Sequence, residues 1–269
     1  MRMSWKLGRV AGIDVFLHPT FFFVLFFPQV TAYGAYGLAV VLAGFGCVLL
    51  HELGHALMAR RFGIGTVDIT LYPIGGVARL TRMPRAPGAE LLIALAGPAV
   101  NVIILMGLAG LGLLGVFGPV WAASLAGNFA VTLMVMNLIL AAFNLIPAFP
   151  MDGGRVLRAL LTGWLGRLRA TAIAAGIGRA LAVAFGLFCA YHGAWLQVVL
   201  AAFIFMAAGS ELASVAADEE HREHDGHGGG DGDGWTAPPG YHWVSQGAGR
   251  WQLAPIVADW GQRGGPRWR

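Results

Sequence analysis

The stretch from Leu38 to Leu50 contains no charged residue and runs directly into His51-Glu52-Leu53-Gly54-His55. That junction limits what the chain can fold into more than any other feature. A helix with an H-E-x-x-H pattern puts both histidines on one face, where they can reach a single Zn²⁺. Glu52 is the next residue round and can act as general base toward a water on such an ion. A chance match of this pattern belongs on a solvated helix face, and here no solvated face exists. Ionisable groups within a membrane segment are costly, and by default they mark a functional site.

Composition agrees with a membrane setting. The chain of 269 residues is 57% hydrophobic and 12% charged, with a mean hydropathy of +0.66; these values indicate an integral membrane protein and exclude a soluble domain. The two cysteines, Cys47 and Cys189, lie inside apolar runs and form no disulfide framework. Cys47 sits one turn before His51 and reads as a small core residue. The first apolar run follows Arg2, Lys6 and Arg9 without a small-residue cleavage pattern, so it is expected to be retained.

Apolar segments occupy Val15–Thr31, Leu38–Phe62, Leu91–Phe117, Trp121–Ile146, Ile173–Tyr191 and Trp195–Val215. Most reach the roughly 20 residues that a bilayer crossing needs. All 18 Lys and Arg residues fall near the N-terminus, between the second and third segments, around the connection from the fourth to the fifth, or after the sixth. The other connections, near Gln29–Gly37, Gly118–Pro119 and Tyr191–Ala194, have none. Six spans with both termini cytoplasmic account for this distribution, and a multi-pass protein of the cell membrane is expected. Between the second and third spans, Thr66–Tyr72 alternates like a strand, Pro73-Ile-Gly-Gly76 signals a turn, and Val77–Thr81 can return. The expected fold is therefore an all-α membrane protein. It has six transmembrane helices and a small membrane-associated β-hairpin between helices two and three. The hairpin edge beside the histidines can pair with an extended substrate.

Two further stretches carry polar groups at membrane depth. Segment three opens with Glu90, which suits a helix N-terminus, and continues through Gly97-Pro98 to Asn101, which must find a partner in hydrocarbon. Small residues such as Gly97 and Gly107 allow close helix contact. Segment four ends in Asn144-Leu-Ile-Pro147-Ala-Phe-Pro150-Met-Asp152-Gly153-Gly154. Two prolines stop the helix, and Asp152 supplies a carboxylate there. It is either a solvated turn residue or the third protein ligand that a two-histidine catalytic site requires.

Beyond Val215 the composition changes. Residues 216–234 form an acidic, His- and Gly-rich tract expected to be a disordered linker. Residues 235–269 carry Trp235, Trp243, Trp251, Trp260 and Trp268 and read as a docking or membrane-surface segment on the cytoplasmic side.

Taken together, His51-Glu-Leu-Gly-His55, Ile74-Gly-Gly76, Ala96-Gly97-Pro98 with Asn101, and Asn144-Leu-Ile-Pro147 with Asp152-Gly153 resemble the site-2 protease family of intramembrane zinc metalloproteases. The resemblance covers about residues 1–215. It implies one Zn²⁺ per chain held by His51, His55 and Asp152, with Glu52 as the catalytic residue. It also implies substrate contacts from Asn144, Gly75, Gly76, Val77 and Asn101. The implied partners are the lipid bilayer and a transmembrane substrate such as a membrane-anchored regulator, with no nucleic acid. The implied activity is hydrolysis of a peptide bond in or near the substrate's membrane segment, as in regulated intramembrane proteolysis. Met151 stands where Leu is common in the family. No connection is long enough for a PDZ-like insertion, and no CBS pair is expected after the sixth segment. A metal transporter and an inactive binding scaffold are the competing classes. A transporter has no need of Glu52 and usually carries polar groups along several spans, which segments five and six lack; the intact H-E-x-x-H argues against the scaffold.

Overall fold

The computed structural model describes residues 4–26, 28–73, 75–84, 86–117, 125–227, 241–245 and 251–255. The chain opens with two strands, β1 (Trp5–Val10) and β2 (Ile13–Leu17). They are joined at Ala11 and Gly12, whose φ values of 50° and 87° fit a tight hairpin turn. A 3₁₀ helix follows over Pro19–Phe26, and α1 runs from Pro28 to Arg61 with a break at Gly34. The segment Val15–Thr31, expected as the first transmembrane helix, is thus divided among three elements. Pro19 and Pro28 each fit a first helical turn but not a helix interior, so no single helix runs through both.

The expected hairpin is present as β3 (Thr66–Tyr72) and β4 (Gly75–Leu80). It belongs to a larger sheet of order β1-β2-β3-β4, in which β2 pairs parallel to β3 with Val15 opposite Ile69. The all-α description is corrected accordingly: the helices carry a mixed four-stranded sheet. Apolar residues on successive positions, Val15-Phe16-Leu17, hid the strand period of β2, although burial of Ile13 and Val15 beside half-exposed Asp14 shows it. Ile13 and Ile69 pack on Ala56 of α1, and Ile64 packs on Ala59 and on Ile93 of α2. The sheet is therefore held against the last turns of α1.

The remaining helices are α2 (Pro87–Leu113), α3 (Leu125–Asn144), α4 (Asp152–Leu165), α5 (Arg167–Tyr191) and α6 (Trp195–His227). Among the described residues, α1, α2, α5 and α6 contain stretches long and apolar enough to cross a membrane. α3 is also apolar, and α4 is short and amphipathic. Large side chains such as Ile103, Leu187 and Leu196 face outward at 68%, 68% and 80% exposure, a surface suited to lipid. Contacts between helices use small residues instead, as where Ala174 and Ala175 of α5 meet Ala208 of α6.

The chain divides into two compact units, Met1–Ala217 and Asp218–Arg269. In the second, α6 continues to His227, so the linker expected to begin at residue 216 is helical in its first part. Residues 228–234 lie outside the described residues. β5 (Tyr241–Ser245) and β6 (Trp251–Pro255) pair as an antiparallel hairpin, with Trp243 opposite Leu253.

Between α3 and α4 the chain folds onto α5. Phe149 is buried against Ala174 and Ala175, and its N–H donates to the Ala174 carbonyl at 3.3 Å. A Cβ on Gly178 would collide with the Phe149 carbonyl. Gly178→Ala gains up to about 1 kcal/mol in helix propensity, but the clash is with backbone that cannot swing aside. Net destabilisation of about 1–3 kcal/mol is expected. A lowered midpoint of thermal unfolding in detergent checks it; an unchanged or raised midpoint would show that the loop is not seated on α5 as described.

Candidate metal centre

The helical repeat of α1 brings His51 and His55 onto one face, 3.1 Å apart between their Nε2 atoms. Asp152, the first residue of α4, projects its Oδ2 to 3.2 Å from His51 Nε2 and 3.0 Å from His55 Nε2. His51 and His55 are buried, and the Asp152 side chain is 13% exposed. Three ligand-type atoms from two elements thus converge on one point. Four tetrahedral ligands at about 2.0–2.1 Å from Zn²⁺ would lie roughly 3.3 Å from one another. The observed separations are close to that value, so the residues fit a zinc ion.

Two groups on α2 complete the setting. His55 Nδ1 lies 2.7 Å from the carbonyl of Ile93. A carbonyl only accepts, so the proton sits on Nδ1 and Nε2 keeps its lone pair for a metal. Gly97 faces the ligands directly: a Cβ there would lie 2.7 Å from His51 Nε2 and collide with His55 Nε2. The sequence pattern marked Gly97 only for helix contact, and its approach to the ligands is a matter of helix rotation that the pattern does not carry. His51 Nδ1 has no hydrogen-bond partner among the described residues.

Glu52 points from α1 toward the sheet. Its Oε2 accepts a hydrogen bond from the Ala78 N–H on β4 at 3.2 Å, and a Cβ on Gly76 would come within 2.8 Å of its Cγ. The carboxylate is therefore held by the sheet edge and does not join the three ligand atoms. A cavity of about 800 Å³ opens here, lined by His51, Glu52, His55, Gly76, Asn144 and Asp152, among others. Gly75 and Val77 also line it, and the Asn144 side chain donates to the Leu140 carbonyl at 3.0 Å. Ile74 lies outside the described residues.

Asn101 departs from expectation. It is fully buried on α2, one turn beyond Gly97, and does not line this cavity. Its amide is enclosed by helix packing and has no hydrogen-bond partner among the described residues. Cys47 also stays apart from the ligands, as a core position should, and its Sγ accepts from the Asn137 side chain at 3.3 Å. A second cavity of about 550 Å³, mostly apolar, lies between α1 and α3. It shares Val48, Gly75, Leu140 and Phe143 with the first, so the two adjoin.

Comparison with known proteins bears on this arrangement. Residues 39–185 match the model of Peptidase family M50. A zinc metalloprotease of Methanocaldococcus jannaschii is 37% identical over 224 residues, covering 81% of this chain and 63% of the relative's own length. Rip3 of Mycobacterium tuberculosis is 34% identical over 252 residues, with 81% of this chain and 61% of that protein covered. The chain thus spans somewhat over three fifths of each. Among solved structures, the site-2 protease from Methanocaldococcus jannaschii superposes with a TM-score of 0.58 at 35% identity. That match covers 78% of this chain and 95% of the other.

The packing of Gly97 against both imidazoles can be checked directly. Gly97→Ala should push the ligands apart and weaken metal binding by about tenfold or more, the scale of losses around ligating histidines. Metal content of the purified, membrane-inserted variant reads this out. A wild-type content would mean that α2 does not approach the ligands so closely.

Proposed function

The chain belongs to Peptidase family M50, and from that membership and the ligand geometry we propose that it is a zinc-dependent intramembrane endopeptidase. The observation that carries the reading is the convergence of His51, His55 and Asp152 within one cavity, beside a carboxylate, Glu52, that is not a ligand. In this reading His51, His55 and Asp152 would hold one Zn²⁺, which would supply Lewis acidity in the cavity; Glu52 stands beside them to take the proton of an attacking water. Glu52 later delivers that proton to the leaving amine. Its anchor on the Ala78 N–H fixes where the carboxylate stands.

The substrate is a membrane-protein segment in or near its transmembrane helix, for instance in a membrane-anchored regulator. A helical segment must unwind first, because its carbonyls are engaged in its own hydrogen bonds. The outer edge of β4 at Gly75, Gly76 and Val77 offers replacement bonds by strand addition, and Asn144 faces the same space.

The protein is read as a multi-pass protein of the cell membrane with both termini cytoplasmic. β2 lies beside the last turns of α1, yet α1 begins at Pro28, so the connection between them must travel back along α1. Phe21 meeting Phe45 at 4.7 Å between ring centroids follows that path. In this reading the chain crosses the membrane six times, which keeps the clusters of Lys and Arg on one side. The catalytic unit ends near the close of α6, and the Trp-rich end serves docking.

Three outcomes test the reading, with cleavage followed by co-expression with candidate single-span membrane proteins. Glu52→Gln should keep zinc bound and lower cleavage by about 10²–10⁴-fold, the scale of general acid–base contributions; full activity would reject Glu52 as the base. Asp152→Ala should lower zinc stoichiometry along with activity, and an undiminished zinc content would take Asp152 out of the ligand set. Truncation after Ala217 should leave insertion, zinc content and cleavage of a short model substrate within a few fold of wild type. A truncated protein that inserts but binds no zinc would place the tail in the site.

A further inference from the structure

We propose that Arg158 is the positioning residue of the third metal ligand: it clamps α4, which carries Asp152, to the face of α2 that orients His55. This rests on the reading of His51, His55 and Asp152 as one metal site. Arg158 has no solvent exposure. Its Nε donates to Glu90 Oε1 at 2.7 Å, its Nη2 donates to the same oxygen, and its Nη1 donates to Glu211 Oε1 of α6 at 2.8 Å. The guanidinium also lies 4.9 Å from the centre of the Phe149 ring.

The sequence positions give these contacts their meaning. Phe149 stands three residues before Asp152, and Arg158 stands six after it. One side chain therefore grips both flanks of the ligand. On α2, Glu90, Ile93 and Gly97 follow at spacings of three and four, which places them on one helix face. That face carries the clamp, the carbonyl that fixes the His55 ring, and the glycine against both imidazoles. Glu90 is thus more than the favourable first-turn charge its position suggested, since its carboxylate ties two helices together.

The site needs such a device because its ligands have different origins. His51 and His55 are spaced by the repeat of a single helix, whereas Asp152 follows an irregular stretch with two prolines. Functional geometry of this kind must be held to about 0.5 Å. Apolar packing in this region is non-directional, while the planar fork of Arg fixes both distance and angle.

A buried ion pair is weak grounds for a stability role, because apolar replacements of similar volume are often neutral or stabilising. That fact separates positioning from folding. The triple variant Glu90→Leu/Arg158→Met/Glu211→Gln should insert and melt near the wild type. It should bind zinc about 10- to 100-fold more weakly, as for other groups that orient ligands, measured by competition with a chromophoric chelator. The visible absorption of its cobalt-loaded form should also shift. A folded triple variant with wild-type zinc affinity and an unchanged cobalt spectrum would overturn the proposal. If the triple variant fails to fold, Glu90→Gln serves alone: several-fold weaker zinc binding is expected, and undiminished binding overturns the proposal. Glu211→Gln should stay within about twofold of wild type, since it leaves the α4–α2 clamp intact. A loss as large as that of the triple variant would assign the positioning to α6 instead. Zinc binding that survives intact in Asp152→Ala would remove the metal-site reading itself, and this one with it.

Discussion

At membrane depth water is scarce outside a cavity, so most buried polar groups must be given a partner by the protein. Much of this structure follows from that requirement. The H-E-x-x-H sequence places three such groups near the end of an apolar helix; Glu52 and His55 each draw a neighbour toward α1, and His51 meets Asp152 through its Nε2. His55 requires an acceptor and finds the Ile93 carbonyl, which obliges α2 to pack closely. Gly54 and Gly97 permit that approach, since a Cβ on Gly54 would come within 2.8 Å of the Ala96 carbonyl. Glu52 requires a donor and finds the Ala78 amide, which holds the sheet edge beside the ligands. The Asn137 amide nitrogen meets the same demand by donating to Cys47 Sγ and the Leu133 carbonyl.

The joining of the two cavities gives the site its chemical asymmetry. Toward α1 and α3 the space is walled by residues such as Val40, Phe45 and Met136. Toward the sheet and α4 it is walled by ligands, glycines and arginine. A chain lying through both would pass from an apolar environment to a polar one within a few residues of the ligands. His51, Glu52, His55 and Asp152 line the polar side, and Val48, Gly75, Leu140 and Phe143 form the boundary between the two.

The parts of the molecule most legible in the sequence were those in which spacing alone carries the information. His51 and His55 share a face by helical repeat, and Thr66–Leu80 forms its hairpin from local turn and strand signals. Asp152 stood out because it supplies a carboxylate after a double-proline stop, where a two-histidine site still lacks a third protein ligand. The first segment misled because hydrophobicity without alternation does not distinguish a buried strand from a helix. Pro19 and Pro28 were the local signal against one long helix. Pairing of β2 with β3 joins residues on either side of α1, and no local pattern encodes it. Helix rotation was equally hidden: it decides that Gly97 meets the imidazoles, that Asn101 is enclosed away from the cavity, and that Glu90 reaches Arg158.

The parallel pairing of β2 with β3 sets an order of assembly during synthesis. Each hairpin, β1-β2 and β3-β4, closes locally and can form as soon as it leaves the ribosome. Their union cannot, because all of α1 lies between them and must first be threaded into the bilayer. Until then β2 is an unpaired edge exposed at the membrane surface, the kind of edge that invites wrong partners. Its short length and the charges of Lys6, Arg9 and Asp14 around it limit that hazard. The sheet that flanks Glu52 is therefore finished only after the helix bearing that carboxylate is in place.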